Sequence, residues 1–236
     1  MKVTVNLPIQ KIRLVLHFKR NSCIMDLDVC YTPMQKGGIA MKLIVIGDSI
    51  TVGTYTGENE CSPKSVAHPN FAELLQNMLG CEELVNYAHN GISVSSTSPV
   101  FPDRAIVTRY RIMEDADILL VCGGTNDFGT GVALGAPTDT EDVSFFGALD
   151  ILYRGLKERY PHAEIYIVKP IHRHDERENK IGLSLDRYRD AIELRARQYG
   201  FPTIDGYAIP VDPTSDEHRR LYAKDGVHLN PAGHRL

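Results

Sequence analysis

The sequence predicts an α/β protein: a three-layer α/β/α sandwich in which a central parallel sheet of about five strands is covered by helices on both faces. Three observations carry this. Short apolar runs alternate along the chain with longer segments whose apolar residues recur at helical spacing. The main runs are apolar throughout rather than apolar at every second residue, as strands buried on both faces are. Glycine or proline closes most of these segments, which fixes where each must turn.

The elements follow in order from Met41. Lys42 to Ile46 reads as the first buried strand, stopped by Gly47. Phe71 to Leu79 places Phe71, Leu74, Leu75, Met78 and Leu79 on one helical face, with Gly80 as its cap. Glu83 to Ala88 is a short second strand, and Asp103 to Met113 a helix. Asp117 to Cys122 is the third strand, closed by Gly123 and Gly124. Phe145 to Tyr160 aligns Phe146, Leu149, Leu152, Tyr153 and Leu156, and Pro161 ends that helix. Glu164 to Val168 is the fourth strand, with Pro170 beyond it. Asp186 to Tyr199 is a helix ended by Gly200, and Phe201 to Ile204 a brief fifth strand. Asn230-Pro231 reads as an N-cap with proline at the first position of a last helix.

Composition narrows the functional classes. Hydrophobic residues at 43% and charged residues at 24% are those of an ordinary globular chain, and a net charge of -4 gives no electrostatic footprint for nucleic acid or an anionic membrane. No apolar run reaches the roughly 20 residues of a membrane span, so no stable membrane anchor is expected. Cys23, Cys30, Cys61, Cys81 and Cys122 form an odd, scattered set without C-x-x-C spacing, which argues against a disulfide framework or a zinc site. With no convincing export signal at the N-terminus, the sequence predicts a cytoplasmic protein.

The first forty residues differ from the rest. Residues 1–40 hold six basic side chains (Lys2, Lys11, Arg13, Lys19, Arg20, Lys36) and only Asp26 and Asp28 as acids, whereas the remainder is acidic. Lys36-Gly37-Gly38 can be encoded as AAAGGAGG, a ribosome-binding-like sequence just before the Met41 codon. The expected organisation is therefore a doubtful extension over 1–40, upstream sequence read in frame, and a catalytic domain over 41–236. The alternative is a genuine extension with Lys11 to Phe18 as an edge strand.

In a parallel sheet the chemistry belongs just beyond the carboxyl ends of the strands. Gly47-Asp48-Ser49-Ile50 follows the first strand, where Ser49 is either a helix N-cap or a nucleophile held near free backbone N–H groups. Gly91, after the second strand, is either a positive-φ turn residue or an unobstructed N–H donor. Gly124-Thr125-Asn126-Asp127 follows the third strand, where Asn126 is a turn residue or an amide donor beside an oxyanion. In Asp225-Gly226-Val227-His228, His228 can act as general base and Asp225 can orient its ring. The chain lacks the G-x-S-x-G elbow of α/β-hydrolases and the glycine-rich phosphate loops of nucleotide-binding folds.

These four blocks, in this order, resemble those of the SGNH or GDSL-type hydrolase superfamily, from about Met41 to the end of the chain. The resemblance implies a flavodoxin-like sandwich with Ser49 as nucleophile, His228 as base and Asp225 completing a triad. It implies an oxyanion hole made of the Ser49 and Gly91 backbone N–H groups and the Asn126 side chain. Asp48 and Asp127 match positions that shape their loops. The chain departs from the family after the Gly233-His234 region, where members usually continue. A stunted last helix is therefore expected, with consequences for stability and for the placing of His228.

The expected activity is hydrolysis of a carboxylic ester through an acyl-enzyme, without cofactor, on a small-molecule substrate. A short-chain (acetyl) ester such as an acetylated carbohydrate is favoured, because the chain shows no long apolar lid or basic amphipathic helix. The alternatives are a lipase or lysophospholipase-type acylhydrolase, and a non-catalytic binding domain on the same sheet. Arg173 and Phe128 are the expected substrate contacts, with Tyr55 and His68 at the pocket rim and Phe145 and Phe146 shared between pocket and core. His172-Arg173-His174-Asp175-Glu176 lies within one charged segment and reads as a solvated loop, so no metal is expected.

Overall fold

A computed structural model describes residues 2–6, 13–17, 40–57 and 65–236, the first two stretches as backbone alone. The chain divides into two compact units, Met1–Ile39 and Ala40–Leu236. In the first, β1 (Lys2–Asn6) and β2 (Arg13–His17) pair antiparallel, Lys2 facing His17 and Asn6 facing Arg13. What the sequence suggests for the rest of residues 1–39 lies outside the described residues.

The second unit is built on five parallel strands: β3 (Lys42–Ile46), β6 (Glu83–Asn86), β7 (Ile118–Cys122), β8 (Glu164–Val168) and β9 (Thr203–Ile204). Their spatial order is β6-β3-β7-β8-β9. Counted within the sheet this is 2-1-3-4-5, the flavodoxin-like order, whose switch point lies where the first strand meets the third. A small antiparallel ribbon, β4 (Thr54–Tyr55) with β5 (Ser65–Val66), follows the first βα turn.

Seven helices complete the described part of this unit: α1 (Ser49–Val52), α2 (Phe71–Leu79), α3 (Ile106–Arg109), α4 (Thr125–Thr130), α5 (Phe145–Arg159), α6 (Leu185–Tyr199) and α7 (Asp216–Tyr222). Alternation within the strands sends Ile44, Ile46, Leu119, Val121, Ile165 and Ile167 into one cluster with Ile106 of α3, Leu149, Leu152 and Leu156 of α5 and Tyr188 and Ile192 of α6. Leu43, Val45 and Leu120 are equally buried, so both faces are covered. The α2 helix packs against β6. Between α5 and α6 the core admits one ion pair, Arg195 with Asp150 at 3.2 Å, and the Tyr199 hydroxyl donates to the same carboxylate at 2.7 Å.

Four expected elements differ. The helix over Asp103 to Met113 is broken into a 3-10 turn (Pro102–Arg104), α3 and a second 3-10 turn (Tyr110–Ile112). Its middle amides are claimed from outside: Ile106 N–H donates to Ser93 O at 2.9 Å and Val107 N–H to Val94 O at 3.1 Å. The second strand stops at Asn86, whose side chain turns back to accept from Ala88 N–H at 2.9 Å. The fifth strand keeps only Thr203 and Ile204, because Phe201 N–H closes onto Ala196 O at the end of α6. Beyond Asn230 there is a turn and a short 3-10 segment (Gly233–Arg235) rather than an α-helix, although Asn230 Oδ1 does accept from Ala232 and Gly233 N–H as a cap should.

His234 in that segment is buried against Phe71, ring centroids 6.0 Å apart, and among the described residues neither ring nitrogen has a hydrogen-bond partner. Burial lowers its pKa from 6.5 to about 4. The folded state therefore keeps the ring neutral while the unfolded state binds a proton. Its contribution to stability is complete above pH 6.5 and is lost as pH falls from there towards about 4. Removing this group should flatten that loss. The unfolding free energy of wild type minus that of His234→Phe should decline by about 1.4 kcal/mol per pH unit across this window in chemical-denaturation series. A constant difference would refute the assignment.

Candidate active site

The site forms at the switch point. At the end of β3 the backbone runs so close to β7 that a methyl group on Gly47 would lie 2.8 Å from Cys122 O and 2.2 Å from Thr51 Oγ1. Only glycine fits there. Asp48 caps α1, its Oδ1 accepting from Ile50 N–H at 3.0 Å. Ser49, the first residue of α1, is nearly buried, and its Oγ lies 2.7 Å from His228 Nε2.

His228 and Asp225 come from one loop after α7. The His228 Nδ1 is 2.8 Å from Asp225 Oδ2, while Asp225 Oδ1 accepts the backbone N–H groups of Val227 at 3.0 Å and His228 at 2.8 Å. Gly226 makes the bend at φ +72°. Burial pushes the Asp225 carboxyl up, but the hydrogen bonds from the His228 ring and backbone outweigh it and hold the group well below the usual carboxylate range. The ionised carboxylate fixes the imidazole proton on Nδ1 and leaves Nε2 free to accept from Ser49. The loop is tied at both sides: Asn230 N–H donates to Tyr222 O at 2.7 Å, and His174 N–H to Gly226 O at 3.0 Å. Beneath it Leu229 packs with Val211 and Ala223.

Gly91 follows β6 at φ +76°. Its turn is zipped alongside β3, His89 N–H donating to Gly47 O at 2.9 Å. Asn126, in the first turn of α4, donates through Nδ2 to Ile92 O at 2.8 Å, which brings its amide beside Gly91. Asp127 completes the attachment: it is fully buried and accepts from Val94 N–H at 2.8 Å and Ser95 N–H at 3.0 Å. Burial pushes Asp127 up to about 7 and Asp48 to about 6, against the opposing pull of their backbone donors. The expectation that both aspartates shape loops is visible in these bonds.

The expected substrate contacts are placed otherwise. Phe128 is 1% exposed, meets Tyr188 edge-on at 5.9 Å and is roofed by the Arg173 guanidinium at 5.1 Å. It belongs to the core, because α4 presents that side to α6. Arg173 is itself a brace: it pairs with Asp175 through two nitrogens and donates to Thr125 O at 3.0 Å. Phe145 and Phe146 are core residues. Tyr55 is half-buried in β4, and His68 is exposed and paired with Glu73 at 3.2 Å. Within the charged loop, His172 stacks on Tyr207 at 3.4 Å and pairs with Glu176 at 3.0 Å, and no metal-binding cluster occurs among the described residues.

One site residue lacked any sequence signal. Thr56, just after β4, donates its hydroxyl to Asp225 Oδ2 at 2.9 Å, so the carboxylate oxygen facing the histidine is held by a second donor.

The Asp127 attachment can be tested directly. An amide at this position offers one acceptor oxygen where two buried N–H groups need satisfying, so Asp127→Asn should lower the unfolding free energy by about 1–3 kcal/mol in urea titrations. An unchanged midpoint and slope would show that the carboxylate is dispensable.

The sequence profile of the GDSL-like Lipase/Acylhydrolase family matches residues 45–236. No curated protein sequence matches the chain. Among solved structures, a Lactobacillus plantarum protein is 27% identical with a TM-score of 0.70, covering 84% of this chain and 92% of that one. An acetyl xylan esterase from Geobacillus stearothermophilus is 21% identical with a TM-score of 0.55, covering 84% and 91%. The lipase/acylhydrolase from Enterococcus faecalis is 19% identical with a TM-score of 0.57, covering 83% and 90%. With the profile running from the end of β3 to the last residue, the chain belongs to the GDSL-like lipase/acylhydrolase family and is an ester hydrolase of the esterase/lipase type.

Proposed function

We propose that this protein is a serine esterase that cleaves short-chain esters, acetyl esters of carbohydrates in particular, through an acyl-enzyme on Ser49. The observation that carries the reading is the linear relay from Ser49 Oγ to His228 Nε2 at 2.7 Å and from His228 Nδ1 to Asp225 Oδ2 at 2.8 Å. His228 takes the serine proton as Oγ attacks the ester carbonyl. The Ser49 and Gly91 N–H groups and the Asn126 amide receive the resulting oxyanion. His228 returns the proton to the leaving alkoxide, and the acyl-serine remains. Water, deprotonated by the same histidine, attacks it in turn and releases the carboxylic acid and free serine. Asp225 stabilises the imidazolium in both halves and stays ionised throughout.

A short acyl group is favoured because Phe128 and Phe145, which could have walled a longer channel, lie in the core. The fold shared with an acetyl xylan esterase points the same way. Cys81 and Cys122 are free and buried, which agrees with a cytoplasmic setting.

Ser49→Ala should abolish hydrolysis of acetylated sugars, and a fluorophosphonate probe should label wild type at Ser49 alone. Ser49→Ala and His228→Ala should each cost roughly 10^5-fold or more in kcat, and the double variant scarcely more than either. Multiplying losses would break the relay into independent parts. On a panel of acetylated sugars and longer acyl esters, preference for the long chains would refute the short-chain assignment.

Asn126→Ala should lower kcat by about 10^2–10^3-fold with little change in KM, since its amide is needed when the oxyanion forms. Asn126 also holds Ile92, so thermal unfolding should be followed in parallel. A change confined to KM would make it a ground-state contact instead.

A further inference from the structure

Phe101 lies against the glycine that supplies the second oxyanion donor. A methyl group at Gly91 would sit 3.3 Å from Phe101 Cε2 and 3.6 Å from Cδ2. The Phe101 backbone is left-handed, φ +51° and ψ +53°, and it is the one non-glycine residue with positive φ among those described. A bulky side chain pays for that conformation, of order 1–3 kcal/mol, and the following Pro102 restricts it further. Yet the ring is 44% exposed, so burial does not repay the strain.

The ring is nevertheless held firmly. The Arg104 guanidinium lies over it at 5.6 Å, and His89 meets it edge-on at 5.6 Å. Arg104 Nη1 donates to His89 Nε2 at 2.9 Å, while His89 Nδ1 faces Asn90 O at 2.9 Å. These two contacts fix the orientation of the His89 ring beside Phe101. The 3-10 turn closes beneath, with Arg104 N–H on Phe101 O at 2.9 Å. An exposed aromatic face, strained into position, braced on two sides and placed beside the oxyanion glycine, is a preorganised contact surface rather than a space-filling side chain.

Its chemistry favours a ring bearing hydroxyls over a fatty chain. The apolar face of a pyranose stacks on an aromatic ring, and the adjacent guanidinium, 48% exposed, has further N–H donors for ring hydroxyls. A long acyl chain would need a continuous apolar groove, and here the aromatic ring is flanked by Arg104, His89 and Asp103. We propose that Phe101 is the specificity-determining platform on which the sugar ring of the leaving alcohol stacks, with Arg104 donating to its hydroxyls. The proposal rests on the esterase reading above.

The test compares full-length wild type, Phe101→Ala, Phe101→Leu and Phe101→Trp on a monoacetylated methyl xylopyranoside, whose other hydroxyls are free, on vinyl acetate, which has no ring, and on vinyl decanoate. Loss of stacking should lower kcat/KM for the sugar ester by about tenfold in the Leu variant, mainly through KM, and by at least as much in the Ala variant, with vinyl acetate changed by less than about twofold in the Leu variant. Phe101→Trp should retain the sugar activity. Phe101→Leu keeps an apolar contact with Gly91 and so separates stacking from support of the oxyanion turn. Equal losses on the sugar ester and vinyl acetate, or no loss on either, would overturn the platform. A larger loss on vinyl decanoate than on the sugar would make the ring an acyl wall and overturn it too. Wild-type hydrolysis of vinyl acetate that survives Ser49→Ala would instead sink the esterase reading, so the two failures are distinct.

Discussion

The close approach of β3 to β7 governs the rest of the site. Gly47 leaves no side chain between these strands, so the turn carrying Ser49 can descend beside the turn carrying Asn126. Because β3 has β6 on its other side, the turn with Gly91 is brought in from the opposite flank. Three strand ends, one central and two adjacent, thus deliver the serine and the candidate oxyanion donors, and the Asp127 carboxylate ties two of the turns together. Only the histidine and its aspartate must be carried in by a loop, and that loop is tied to its neighbours on both sides.

The carboxylates at this edge divide by task. Asp48 and Asp127 are sealed from water and serve backbone N–H groups, and burial raises both. Asp225 is partly open and faces the His228 imidazole; donors around it hold it ionised. The same side chain therefore acts as a loop clamp in two places and as a charge partner in the third, with desolvation against donors deciding which. The cation of Arg173 contributes by lowering Asp48, which fits its place as a brace in the scaffold.

The parts of this architecture legible in the sequence are those where local chemistry and tertiary role agree. The strands over Lys42–Ile46 and Ile118–Cys122 are apolar on both faces because helices cover both, and α5 shows its buried side in its spacing. Ser49, Gly91, Asn126, Asp225 and His228 stand out as candidates because each lies at a strand end or in a short polar block near the terminus, and the fold brings Ser49, Asp225 and His228 into contact. Elements set by distant partners were not legible. The helix after Pro102 breaks because Ser93 and Val94 take its amides, and Phe128 turns inward because α6 lies beside α4. α7 did carry a signal, Ser215 ahead of Asp216 and Glu217, but no apolar stripe drew attention to it. Thr56 and Phe101 matter through neighbours far along the chain, and nothing in their own surroundings in the sequence marks them.

The bond from Thr56 to Asp225 spans 169 positions, and the contact from Ser49 to His228 spans 179. Nearly the whole unit must therefore be synthesised and docked before the serine meets the histidine. On the mechanism we propose, a chain whose last loop has not yet docked lacks the base for Ser49, and ester hydrolysis waits until the fold is closed.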